Sequence, residues 1–389
     1  MTSKTSKRVR GRRRKPSAKV VKRPRHIYAA LRLALLRWFR ANARALPWRG
    51  TVDPYAVWVS EIMLQQTQIA TVIPFYQRFL DAFPTVSHLA RAPLERVLEL
   101  WSGLGYYRRA RHLHQAAQIL TQRFAGKFPK DFAGLRALPG IGDYTAKAVL
   151  SIAFNQPYAV LDGNVARAVA RLCRLHGNLH QPQFRRAVET ELDGLLSHRE
   201  PGNFNQALME LGQTICLPHG PLCATCPLAK WCGGYRSGNP EAFPLPRPRR
   251  AGESHHLAVA LLRRGTRVAM GRGLADGLLD DLWNFPAAFG RSPAEALEAL
   301  REKLAGLVQA SVGARHGAVR ARHGVPLLTL KEPIAEFRHG ITFRAIQGKV
   351  YPVETARAIR HPSLQWFEIK QLPQAAISQM ARKIVQEIA

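Results

Sequence analysis

The chain has 389 residues, 46% of them apolar, which is enough for two or three domains with real cores and excludes a disordered polymer. Lysine and arginine number 58 against 26 acidic residues, a net charge of +32 that points to a polyanionic partner and to strongly salt-dependent binding. No apolar run reaches the roughly 18 residues of a spanning helix, and the aromatics are dispersed, so no membrane association is expected.

The first 25 residues hold twelve Lys or Arg and no acid, and lack the apolar stretch of a signal peptide. They read as a disordered, solvated basic tail lying along phosphates; a transit peptide shares this composition but would show an amphipathic stripe. From His26 onward, YAALRLALLRWF, PLERVLELW, YTAKAVLSIAF and VARAVARLC space apolar residues three and four apart, predicting a helical domain over 26–236. Prolines in SGNPEAFPLPRPRR break that period, so 237–254 is expected to be a stiff basic linker. Beyond it, HLAVALLRRGTRVAMGR reads as strand, turn, strand. SPAEALEALREKL opens a helix on a capping box of Ser292 and Glu295, with Pro293 at the first helical position. FRHGITFRAIQGKVYPV adds strand and a last helix closes the chain, making 255–389 an α+β domain.

Three local patterns carry chemistry. WVSEIMLQQTQ sets Glu61 among Trp58, Val59, Ile62 and Met63, where desolvation would raise its pKa; the ordinary alternative is an acid complementing a helix dipole. LPGIGDYTAKAVL puts Gly140 and Gly142 just before an amphipathic helix, an anion cradle for phosphodiesters or else a plain connector. Cys216, Cys223, Cys226 and Cys232 follow C-x6-C-x2-C-x5-C, a set able to enclose an iron–sulfur cubane or a single zinc. With only five cysteines and four of them in one loop, metal binding in a reducing compartment is expected over disulfides, hence a cytoplasmic, nucleoid-associated location and no secretion. Cys173, far from the four, reads as core.

PYAVWVSEIMLQQTQ (54–68), LPWR (46–49), GLGYY (103–107), LPGIGDYTA with LDGNVAR, FNQALMELG (204–212) and the cysteine loop together resemble the helix-hairpin-helix DNA glycosylases that carry an iron–sulfur cluster. Within them the chain is similar to the adenine-removing, MutY-type branch from about His26 to its end. That resemblance implies a mainly α N-terminal part, a helical bundle plus iron–sulfur loop, followed by an α+β Nudix-like domain. It also implies a [4Fe-4S] cluster on the four cysteines. The implied partner is double-stranded DNA with adenine opposite 8-oxoguanine or guanine, bound by a monomer. Glu61 would be the general acid that protonates the adenine ring, and Asp162 would face the sugar with Asn164 in support. Two carboxyl groups with divided tasks suit the oxocarbenium-like path of glycoside cleavage. Asp162 would also serve as an ordinary N-cap. Gln66 and Tyr106 would wedge into the stack beside Leu64, although Tyr106 and Leu64 could equally be core. Arg44, Trp48, Arg49 and Gln206 would line the adenine pocket. Tyr144 stands where bifunctional, endonuclease III-like relatives carry a Schiff-base lysine, so hydrolysis without strand cleavage is expected; a bifunctional enzyme on damaged pyrimidines is the alternative.

The second domain is similar to the family's opposite-base reader, with GLLDDLWNFP (277–286) as its entry segment. It has no REUxEE box for magnesium, LREKLAG being the nearest approach, so diphosphohydrolase catalysis is not expected. In the lesion-reading loop, Phe337, Arg338 and His339 stand where the family usually has Phe-Ser-His. Arginine donates to guanine O6 and N7, whereas 8-oxoguanine carries hydrogen on N7, so Arg338 is expected to weaken the preference for the oxidised base.

Overall fold

Prolines set many of the helix starts: Pro54, Pro182 and Pro201 each occupy the first turn of a helix, where a missing N–H costs nothing. The computed structural model describes residues 24–246, 252–274, 282–313, 328–341, 344–355, 361–375 and 377–388. The basic tail up to residue 23, the linker residues 247–251 and residues 277–281 of the entry segment lie outside the described residues.

The chain divides into two units. The first takes 24–45, Lys130–Phe132 and 142–246. Its helices Arg25–Asn42, Asp143–Ala153, Gly163–Cys173, Pro182–Leu195 and Pro201–Thr214 bury Leu35, Phe39, Val169, Phe184, Phe204 and Leu208. The cysteine loop follows as short 3-10 turns, Cys223–Thr225 and Ala229–Trp231, and a one-turn helix, Gly233–Arg236. The start of the expected linker is docked rather than free: Phe243 is buried in this same core, and the Leu245 amide donates to the Gly177 carbonyl at 2.8 Å.

The second unit takes 46–129, 133–141 and the described residues from 252 on. Helices Pro54–Leu64, Ile69–Ala82, Val86–Arg91, Leu94–Trp101 and Arg108–Phe124 form its helical part, with Trp58, Met63, Phe79 and Trp101 fully buried. Phe79 meets Trp101 edge to face at 5.8 Å, a geometry the ring quadrupoles favour.

The α+β part has strands β1 (Glu253–Leu261), β2 (Arg263–Arg264), β3 (Arg267–Gly271), β4 (Ala287–Gly290), β5 (Leu328–Leu330), β6 (Ala335–Ile341), β7 (Arg344–Thr355) and β8 (Leu364–Glu368). β1 lies between antiparallel β4 and parallel β7, whose other edge takes β6 and β5 in tandem; β2, β3 and β8 form a smaller sheet. Helix Pro293–Gly313 begins as its sequence requires: the Glu295 amide donates to Ser292 Oγ at 3.2 Å, and the Glu295 carboxylate accepts from the Arg291 amide at 2.9 Å. Its Ala296, Leu300 and Leu304 pack with Ala258 and Ala260 of β1, whereas Met380 and Ile384 of helix Gln379–Ile388 pack with Val259 and Val350. Helices therefore cover both sheet faces.

Within this unit the α+β part fastens onto the helical part. Arg272 pairs with Glu95, which also accepts from Trp283 Nε1 at 3.1 Å. Arg382 donates to Ser102 Oγ at 2.7 Å and Gln379 to the Gly103 carbonyl at 3.2 Å, both at the turn that carries Tyr106.

Candidate active site

Asp53 starts the helix that holds Glu61 by accepting from the amides of Tyr55 and Ala56 at 3.1 and 3.2 Å. All nine residues from Tyr55 to Met63 are buried, Glu61 among them at 7% exposure. The helix ends at Leu64, which is half-buried, because Gln65 is extended and Gln66 turns left-handed at φ 58°. Gln66 is exposed. Tyr106, 45% exposed, adopts φ 49° in the next turn, so neither wedge candidate is core. Trp48, 8% exposed, meets Tyr76 edge to face at 5.4 Å, and Arg49 is half-buried beside it in sequence.

One side chain that the sequence did not single out joins the two turns. Arg109 Nη1 donates to the carbonyls of Ile62, Met63 and Gln65 at 2.9, 2.8 and 2.6 Å. Its Nη2 donates to Thr67 Oγ1, Leu104 O and Gly105 O at 3.1, 3.3 and 3.0 Å. Burial pulls its pKa down to about 10, which leaves it charged at neutral pH. Nothing in a chain with 58 basic residues marks this arginine locally; the acceptors on the Glu61 helix end and at Thr67 lie 42 to 47 residues upstream.

Also in the second unit, the turn 138–141 is held by Arg136 Nη1 donating to the Ile141 carbonyl at 2.9 Å. Gly140 has φ 75°, and a Cβ there would fall 2.7 Å from His112 Cβ, so glycine is required twice over.

In the first unit, Gly142 is the N-cap of helix Asp143–Ala153 and offers no side-chain cap; open space surrounds the place a Cβ would take. Tyr144 in that first turn donates to Met209 Sδ at 3.2 Å. Asp162 caps helix Gly163–Cys173, one oxygen accepting from the Val165 amide at 2.7 Å and the other from Asn164 Nδ2 at 2.9 Å. Asn164 Oδ1 accepts from Arg167, which also donates to the carbonyls of Gly212 and Cys216, at 2.9, 2.7 and 2.8 Å. Arg167 is a second residue that sequence reading passed over; its signal was only the three-residue spacing from Asn164. Gln206 is half-buried on helix Pro201–Thr214. Arg44 is held by Glu210, which is buried, at 2.5 and 2.9 Å, and by Gln213 at 2.6 Å.

Cys216, Cys223, Cys226 and Cys232 line one cavity in which Arg171 is the sole charged residue. Burial pushes the Cys226 thiol up to about 12 and raises Cys216 and Cys223, the neighbouring thiols adding to each shift. Thiols held neutral in this way become thiolates only against a cationic centre, so the donor set fits a thiolate-ligated group. Among the described residues, no three or more His, Cys, Asp or Glu side chains close up as a single-ion shell. Cys173 stays apart, its Sγ 3.4 Å from Glu191 Oε2.

In the α+β part, Phe337, Arg338 and His339 lie on strand β6 and not in a loop, opposite Gly348, Gln347 and Ile346 of β7. Alternation sends Phe337 into the core, its ring over Gly348, where a Cβ would come within 2.2 Å. Arg338 is exposed, and its carbonyl accepts from Lys383 Nζ at 2.8 Å. Burial, with Lys383 nearby, lowers the His339 pKa.

Residues 59–193 match the family described as HhH-GPD superfamily base excision DNA repair protein. A human adenine DNA glycosylase is 32% identical over an alignment covering 91% of this chain and 73% of that protein. The rat adenine DNA glycosylase is 31% identical, over 93% of this chain and 79% of its own length. The chain belongs to the adenine DNA glycosylase family. It is accordingly a hydrolase of N-glycosidic bonds in base excision DNA repair. An adenine DNA glycosylase from Buchnera aphidicola is 42% identical over 52% of this chain and 57% of that protein. The structure of a thermostable thymine-DNA glycosylase, 25% identical, aligns with a TM-score of 0.48 over 54% of this chain and 97% of that one. No helix among the described residues is long and apolar enough to cross a membrane.

Proposed function

We propose that this family member removes adenine paired with 8-oxoguanine or guanine in duplex DNA, by hydrolysis alone, acting as a monomer in the cytoplasm. The observation that carries the reading is Glu61, an acid kept buried on an apolar helix within the family's PYAVWVSEIMLQQTQ pattern. An adenine inside a duplex is out of reach, so Gln66 and Tyr106, both exposed at the tips of turns, part the stack beside Leu64 while the nucleotide swings out. Trp48, Arg49 and Gln206 receive the base. Arg44 contributes wall rather than a free donor, because Glu210 and Gln213 occupy its head. Glu61 gives a proton to the purine ring as the bond breaks, and Asp162, steadied by Asn164, offers its carboxylate to the cationic sugar. Gly140 and Gly142 bring backbone amides to the phosphates.

Tyr144 supports hydrolysis without strand cleavage: its hydroxyl donates to Met209 and it has no amine to form an imine. The four cysteines of the loop would hold a [4Fe-4S] cluster, which when bound supplies a covalent staple to a segment built of single turns. The α+β part, a Nudix-like reader without the acidic box, inspects the opposite base through Phe337, Arg338 and His339.

Single-turnover assays on duplexes with adenine opposite 8-oxoguanine, guanine, cytosine and thymine test this reading. Adenine release confined to the first two, with no borohydride-trapped adduct, is expected. Release of an oxidised pyrimidine with trapping would overturn it in favour of the bifunctional alternative.

A further inference from the structure

Left-handed backbone is disfavoured for L residues, and only five non-glycine residues among those described adopt it. Two of the five, Gln66 and Tyr106, are the exposed side chains assigned to the base stack. Strained turns persist only where the surroundings over-determine them. Here the determinant is one guanidinium. Arg109 takes three carbonyls around the end of helix Pro54–Leu64 and the Thr67 hydroxyl on one side, and three carbonyls of the Tyr106 turn, of Leu104, Gly105 and Tyr106 itself, on the other. Its plane also lies over the rings of Trp101 and Tyr106 at 5.5 and 5.4 Å. Capping the helix end would account for Ile62, Met63 and Gln65; it would leave Leu104 and Gly105 unexplained.

We infer that Arg109 is a positioning residue: it fixes the distance between the Gln66 and Tyr106 turns and so governs extrusion of the adenine rather than cleavage of the bond. The inference rests on the wedge roles proposed above. Lysine keeps the charge but not the planar fork, and cannot serve both turns at once.

The test uses the full chain, native and Arg109→Lys, with a fluorescent purine analogue reporting extrusion. Single-turnover release is compared on a paired duplex and on one whose target adenine sits in a bulge and is already unstacked. The expected result is extrusion slowed and release from the paired duplex down about tenfold or more, with bulged adenine released within about threefold of the native rate. Equal losses on both substrates, or no loss on either, overturn the inference. Gln66→Ala and Tyr106→Ala separate it from the reading beneath: if neither slows extrusion, the wedge assignment fails, and if both do while Arg109→Lys does not, the role of Arg109 alone fails. Should Arg109→Lys melt well below the native chain, Thr67→Val removes one of its acceptors. Slowed extrusion in that variant supports the inference, and native extrusion overturns it.

Discussion

The helix that carries Glu61 and the helix capped by Asp162 hide a carboxyl group in opposite ways. The first is buried from Tyr55 to Met63 without a solvent face, so an acid in it stands out against everything around it. The second begins with an aspartate where most helices welcome one, its oxygens taken by Val165 and Asn164. A misplaced acid announces chemistry by its surroundings, whereas a well-placed one conceals it, and only its further partners tell the two apart. Asn164 and Arg167 are such partners: an N-cap requires neither.

The comparison breaks most sharply at Glu61. Glu61→Gln keeps the volume and removes the transferable proton, so adenine release should fall about a thousandfold in single-turnover assays while duplex affinity stays within about twofold. Comparable loss of affinity would make Glu61 part of the scaffold. Asp162→Asn sharpens the other side. Asparagine still caps through its one oxygen but turns an NH2 toward Asn164 Nδ2 and loses that hydrogen bond, so the melting temperature should fall by only about 2–4 °C, while release should fall about a hundredfold for want of a negative charge near the sugar. Native activity in that variant would reduce Asp162 to a cap. The smallest effect is expected in the α+β part: Arg338→Ser should raise the preference for adenine opposite 8-oxoguanine over adenine opposite guanine by about fivefold. An unchanged ratio would show that Arg338 does not touch the base.

What could be read from sequence was local. The capping box at Ser292, the helical periods and the clustered cysteines depend on neighbours within a few positions, and each forms as its spacing requires. Partners drawn from afar left no such trace. Parallel pairing of β1 with β7 joins segments about ninety residues apart, and it is this sheet, through Gly348, that turns Phe337 inward; the strand itself was legible in FRHGITFRAIQGKVYPV, and only the resemblance implied a loop there. Arg109 was invisible for a different reason: in so basic a chain, one more arginine at a helix start looks like solvent-facing charge, and only the seven oxygens around it say otherwise.

Gln379 and Arg382 reach back to Gly103 and Ser102, a span of 276 and 280 positions along the chain. Removal of the helix Gln379–Ile388 would thus loosen a turn that lies 276 positions earlier in the sequence. Loss of that helix would then mimic lesions at Tyr106, and a defect in swinging out the adenine would arise from a change far in sequence from the turn it disables.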